Sequence, residues 1–215
     1  MNIHTKLNHF RIASPPIDNS PIVSPIYQSA KFSFESMAEV RKFFRGQRPG
    51  YFYSRYKNPT VHELEALLAE IQGTEAGIAT GSGVSAIFLT LFSLLSAGDE
   101  AIYFIESYKP TRIMFEKSFK KFGVKGIRLS LFDEAGILEA CQRQQTKLII
   151  FESPTNPQLA CPNISFICQT AKEHGVTSIL DNTFLAFITI IILASITIST
   201  VSQSLPMAIV TVWAV

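Results

Sequence analysis

The sequence predicts an α/β domain in which a mainly parallel sheet is flanked by helices on both faces. Three observations predict it. Short β-prone runs alternate with helical ones from residue 60 to residue 181. Apolar residues make up 47 % of the 215 positions, enough for a substantial buried core. The residues that follow the β runs, GSG, ESY, ESPTNP and DNT, are small, polar or aromatic. An open parallel sheet gathers its ligands beyond the carboxyl ends of its strands, so these crests mark one candidate site.

Taken in order, residues 1–58 read as an extended N-terminal arm. Pro15, Pro16, Pro21 and Pro25 block regular structure there, before a short amphipathic helix over 35–44. Thr60 and Glu63 have the spacing of a capping box, Leu64, Leu67, Leu68 and Ile71 form an apolar stripe, and Gly73 supplies a stop, which predicts a helix from Thr60. Then come AGIAT (76–80), a helix from Ser82, EAIYFI (100–105), a helix through Met114, VKGIRLS (124–130), a helix from Asp133, KLIIF (147–151), a helix around Ile167 and VTSIL (176–180).

Charge and composition narrow the function classes. Nineteen basic and seventeen acidic residues leave a formal net charge of +2, and no Lys/Arg run offers a phosphate-backbone footprint, so nucleic acid is not an expected partner. Cys141, Cys161 and Cys168 have no metal-ligand spacing and are odd in number, so no metal is expected and a reducing, cytoplasmic setting fits best. The start of the chain is polar and charged, without the apolar core of a signal peptide. Every charged residue lies at or before Asp181.

Four groups carry candidate chemistry. Ser82, Gly83 and Val84 follow a strand and open a helix, where backbone N–H groups and the helix dipole suit an anion such as phosphate; a turn that needs glycine for steric reasons gives the same pattern. Tyr53 and Arg55 offer a phenol and a guanidinium two residues apart, suited to phosphate oxygens or else a solvated Arg beside a packed Tyr. Tyr108 could stack on a flat ring or close the core edge. Asp181 ends an apolar run, where a buried carboxylate calls for a cation or a proton-bearing partner unless it caps a helix; Glu152 and Asn156 occupy the neighbouring crest.

In this order PIYQSAKFSF (25–34), YSRYKNPT (53–60), SGVSA (82–86), ESPTNP (152–157) and DNTF (181–184) resemble the Cys/Met metabolism enzymes that use pyridoxal phosphate: cystathionine gamma-synthase, the cystathionine lyases and methionine gamma-lyase. The resemblance runs from about Pro15 to Phe184. It implies a fold-type I large domain and transsulfuration chemistry, the forming or breaking of a C–S bond on a small amino-acid substrate. It also implies a homo-oligomer whose sites are shared between subunits. Gly83 and Val84, the latter where the family usually has Met, would give N–H groups to the cofactor phosphate beside Ser82. Tyr53 and Arg55 would reach the phosphate of a neighbouring subunit's cofactor. Tyr108 would stack on the pyridine ring and assist proton transfer, Asp181 would pair with the pyridine N–H, and Asn156 would approach the ring hydroxyl, with Glu152 and Thr183 in support. RYKNPT leans towards the gamma-synthase and gamma-lyase branch.

One family element has no counterpart. Family members carry a Schiff-base lysine about two dozen residues beyond this Asp, whereas the last lysine here is Lys172. Residues 184–215 contain no Lys, Arg, His, Asp, Glu, Cys or Tyr. The chain is therefore expected to be an incomplete large domain without the C-terminal small domain, divided as arm (1–58), partial cofactor domain (59–184) and apolar non-family tail (185–215), and catalytically inactive. The alternative is a non-catalytic pseudogene product or a subunit partner of an intact homologue. Loss of the sheet's remaining strand pairings is expected to expose apolar surface and favour aggregation.

The tail admits two further readings. Its length and apolar character suit a membrane helix, which Pro206, scattered Ser and Thr and the lack of basic flanks disfavour. Alternatively it is translated out of frame. Taking the last base of each codon with the first two of the next, 199–211 permits His-Ser-Leu-Thr-Lys-Phe-Thr-Asn-Gly-His-Ser-Asp, which resembles the family's lysine segment. That lysine straddles Gln203 and Ser204, 22 to 23 positions past Asp181.

Overall fold

The computed structural model describes residues 22–72 and 74–184, together with the backbone of two strands in the tail. Pro15, Pro16, Pro21 and Gly73 lie outside the described residues. The chain divides at Thr60 into two compact units.

Within the first unit the extended stretches pair with one another. Lys31 and Tyr53 form an antiparallel bridge, the Phe32 N–H donates to the Phe52 carbonyl at 3.1 Å, and the Ser54 N–H donates to the Ala30 carbonyl at 2.9 Å. Helix α1, Met37–Phe44, starts where the Ser36 hydroxyl accepts the Glu39 N–H. It brings Phe43 and Phe44 against Phe34 and Phe52, with ring centroids 5.1 to 6.5 Å apart. Helix α2 covers Pro59–Gln72. Its cap is Asn58, whose side-chain oxygen accepts the Thr60 N–H at 2.9 Å. Thr60, expected to be the cap, lies inside the helix and its hydroxyl accepts the Tyr27 N–H. Pro59 explains the difference: its fixed φ suits the first helical position and it has no N–H to leave unpaired.

The second unit carries the sheet. Strands β1 (Ala76–Thr80), β2 (Glu100–Phe104), β3 (Lys125–Leu129), β4 (Thr146–Glu152) and β5 (Thr177–Asp181) alternate with helices α3 (Gly83–Leu94), α4 (Lys109–Ile113), α5 (Glu134–Cys141) and α6 (Ile164–Glu173). A π-helical stretch, Met114–Phe119, extends α4. Ser82, Asp133 and Asn163 cap α3, α5 and α6 with their side-chain oxygens. The tail adds β6 (Ser195–Ser199) and β7 (Ile209–Ala214), and the sheet order is β1-β7-β6-β5-β4-β2-β3. All pairings are parallel except those of β6 with β5 and β7.

Both faces are covered. In β2, Ala101 and Tyr103 pack with Leu91, Phe115 and Phe119 on one face, while Ile102 and Phe104 pack with Ile137 and Ile167 on the other. Leu148 and Ile150 of β4 share the first cluster, and Ile149 and Phe151 share the second. This two-sided burial is why β2 and β4 read as continuous apolar runs rather than alternating ones.

Two expectations about the tail change. The sheet does not lack strand pairings between β1 and β5, because β6 and β7 fill that interval and β1 pairs with β7. The membrane-helix reading also fails where the tail is described, since those stretches are strands. An apolar, charge-free sequence with many β-branched residues suits a buried strand as well as a helix, and hydropathy alone cannot separate them. No helix among the described residues is long and apolar enough to cross a membrane.

At the β1 edge, the Glu65 carboxylate of α2 accepts the Ala79 N–H at 2.9 Å and so satisfies an edge donor. Gly77 permits that approach: a Cβ there would lie 2.5 Å from the Glu65 carbonyl oxygen. Gly77→Ala is expected to destabilise the chain by about 1–3 kcal/mol, read as a lower denaturation midpoint at unchanged slope.

Candidate functional site

One cavity of about 310 Å³ opens above the carboxyl ends of β1, β2, β4 and β5, lined by Ser82, Gly83, Val84, Ile87, Tyr108, Glu152, Asn156, Asp181, Thr183 and Phe184. Its size suits a small ligand. Eight residues singled out from sequence meet here: Ser82, Gly83, Val84, Tyr108, Glu152, Asn156, Asp181 and Thr183. Tyr53 and Arg55 belong to the first unit and are not among the lining residues. There the Arg55 guanidinium lies 5.0 Å from the Tyr53 ring centroid and 5.5 Å from that of Tyr56. Ile87 and Phe184 were not anticipated. Ile87 stands one helical turn beyond Gly83, a spacing that places both on one face of α3.

The amino end of α3 forms one wall. The Ser82 hydroxyl accepts the Ser85 N–H at 3.1 Å, and the Ser82 carbonyl accepts the Ala86 N–H at 2.9 Å. The Gly83 and Val84 N–H groups precede the first intrahelical bond, so they remain available to an anion together with the helix dipole.

The opposite wall carries two carboxyl groups on adjacent strands. Glu152 ends β4, Asp181 ends β5, and the two stand in register. Glu152 is 4 % exposed and Asp181 is 7 % exposed. Asp181 Oδ1 accepts the Thr183 N–H at 3.2 Å and the Thr183 hydroxyl at 2.5 Å, which leaves Oδ2 its acceptor capacity. Burial raises the Asp181 pKa against the pull of these Thr183 bonds. Burial also pushes Glu152 up to about 7, opposed by the Tyr108 N–H, with the Asp181 charge adding to the rise. Both residues therefore suit a site that supplies a cation or a proton.

These shifts have a direct consequence for stability. A carboxyl whose folded pKa exceeds its unfolded value stabilises fully below the unfolded value, here 4.5, and that contribution is lost as pH rises through about 7. The unfolding free energy is expected to fall across this window, and Glu152→Gln should flatten the fall in denaturant titrations at pH 4.5 to 8.

The residues fit pyridoxal phosphate on the chemistry of their donors and acceptors. Unpaired helix-start N–H groups suit a phosphate, the Tyr108 ring suits a flat heterocycle, and the buried Asp181 carboxylate suits a pyridine N–H.

Solved structures place the fold among the fold-type I pyridoxal-phosphate enzymes. The O-acetylhomoserine (thiol)-lyase of Campylobacter jejuni, crystallised with a pyridoxyl-lysine adduct, is 38 % identical with a TM-score of 0.70, over 76 % of this chain and 40 % of that one. Cystathionine gamma-lyase of Lactobacillus plantarum is 35 % identical with a TM-score of 0.66, over 75 % and 40 %. The chain belongs to the family described as Cys/Met metabolism PLP-dependent enzyme, whose model matches residues 5–197. That match continues past Phe184 into the tail. Among characterised relatives, L-methionine gamma-lyase of Pseudomonas putida is 38 % identical over 170 residues, 79 % of this chain and 42 % of that protein. O-succinylhomoserine sulfhydrylase of Pseudomonas aeruginosa is 35 % identical over 159 residues, 74 % and 39 %. The chain thus spans about two fifths of the length of these relatives. Pyridoxal phosphate is the cofactor of the family.

Proposed function

We propose that this chain is the cofactor-cradling part of a pyridoxal-phosphate enzyme that forms or breaks a C–S bond on an amino acid. The observation that carries this reading is the single cavity in which the α3 amino end, Tyr108, Asn156 and Asp181 converge. The Gly83 and Val84 N–H groups bind the phosphate beside Ser82, the Tyr108 ring stacks on the heterocycle, Asn156 approaches the ring hydroxyl, and Asp181 holds a proton on the pyridine nitrogen, supported by Thr183. Bound pyridoxal phosphate supplies an electron sink for the amino-acid substrate. Equilibrium dialysis tests the reading: one equivalent of pyridoxal phosphate is expected to bind saturably, and binding that never saturates contradicts it.

The chain by itself is proposed to be inactive, because no lysine follows Asp181 where the resembling enzymes keep theirs. The tail, 185–215, is proposed to be read out of frame, with 1–58 as arm and 59–184 as cofactor domain. Coding DNA in which the shifted frame at 199–211 does not spell the lysine segment rules that out.

A second reading rests on Arg55, exposed over the Tyr53 and Tyr56 rings. As a subunit of a shared-site oligomer, the chain would lend Tyr53 and Arg55 to the cofactor phosphate of an intact homologue. Co-purification with such a homologue, lost in Arg55→Ala, is the expected result. The free thiols Cys141, Cys161 and Cys168 fit a cytoplasmic setting.

A further inference from the structure

Glu152 makes contacts that no role in holding phosphate or pyridine explains. One oxygen, Oε2, accepts the Tyr108 N–H at 2.8 Å, and the other, Oε1, accepts the Asn156 N–H at 3.1 Å. Tyr108 follows β2 and Asn156 follows β4, so a single carboxylate, 44 residues beyond Tyr108 in sequence, ties the two crests together. The group is 4 % exposed, and among the described residues no Lys or Arg forms an ion pair with it. Burying a carboxylate without a cation is costly, and two backbone donors offset only part of that cost. An apolar side chain would close the β4 end at lower cost but would leave both N–H groups without this acceptor.

We propose that Glu152 is a positioning residue: its carboxylate clamps the Tyr108 and Asn156 backbones so that the ring-facing wall of the cavity is set before the cofactor arrives. This rests on the cofactor reading above and adds a division of labour to it. Ser82, Gly83 and Val84 at the start of α3 serve the phosphate, whereas Tyr108 and Asn156, whose N–H groups bond to Glu152, serve the ring and depend on the clamp. Gln at position 152 keeps the shape but offers one oxygen acceptor and turns an amide donor towards the other N–H, so one of the two bonds is lost.

The test compares the full chain with Glu152→Gln, Tyr108→Ala and the double variant. Pyridoxal phosphate affinity is read by equilibrium dialysis, and inorganic phosphate affinity by phosphorus NMR line width. Glu152→Gln is expected to weaken pyridoxal phosphate about tenfold while leaving inorganic phosphate within about twofold. In the Tyr108→Ala background the same change should cost less than it costs the wild type, because part of what it positions is already gone. Equal losses for both ligands, or full additivity, overturn the clamp. Unchanged pyridoxal phosphate affinity also overturns it while leaving the cofactor reading intact, and a wild type that binds none overturns both. Should Glu152→Gln fail to fold, amide hydrogen exchange of the wild type decides. Protection at Tyr108 and Asn156 already present without pyridoxal phosphate supports the clamp; exchange at the free-amide rate, or protection that arises only when the cofactor is added, overturns it.

Discussion

Asp181→Ala is expected to weaken pyridoxal phosphate binding by about ten- to hundredfold, the loss of a charge-assisted hydrogen bond in a buried site. The argument for so large an effect is local. Asp181 closes β5, is 7 % exposed, and accepts two hydrogen bonds from Thr183 through one oxygen. A pyridine N–H delivered to the other oxygen removes the penalty of an unpaired buried carboxylate, so affinity and desolvation act in the same direction. Because burial holds the Asp181 pKa up, a bound cation should lower it. Asp181→Asn should fall between wild type and Ala, since the amide oxygen still accepts but carries no charge. Calorimetric titration at pH 7.5 measures all three.

The second large effect concerns turnover. No product is expected from methionine, cystathionine or an O-acylhomoserine, and borohydride treatment with pyridoxal phosphate should fix no cofactor inside the cavity. Residues 182–215 offer no amine, and no ionisable group that could take the place of one. Losing positioned proton transfer alone costs on the order of 10²–10⁴-fold, and losing the covalent attachment adds to it. Surface lysines are an internal control, because their adducts map to peptides away from the cavity. A stoichiometric adduct on a cavity residue, accompanied by C–S cleavage, contradicts the proposed inactivity.

Much of the fold was legible because its local signals agree with one another. Ser82, Asp133 and Asn163 each stand one residue before a helix and each cap it. AGIAT forms β1 with the expected limits, the run at 147–151 forms β4 with one added residue at each end, and the run at 176–180 forms β5 shifted by one residue to 177–181. The crests after those strands lead into one cavity, as the geometry of a parallel sheet requires. What escaped the sequence is tertiary. Thr60 lost the cap to Asn58 because Pro59 takes the first helical position. The π-helical stretch Met114–Phe119, which places Phe115 and Phe119 in the core, has no sequence signature. The tail strands were hidden because an apolar run without charge has no period that separates strand from helix. Glu152 was legible only as a support to the site; its two N–H partners require the fold to bring Tyr108 beside β4.

The most direct measurement is a titration of the isotope-labelled chain with pyridoxal phosphate, followed residue by residue in amide NMR spectra. Saturable shifts that share one dissociation constant and cluster at Ser82, Gly83, Val84, Tyr108, Asn156, Asp181 and Thr183 are the expected result. Shifts that do not saturate, or that cluster at surface lysines while these residues stay unmoved, contradict the assignment of this cavity as the cofactor cradle.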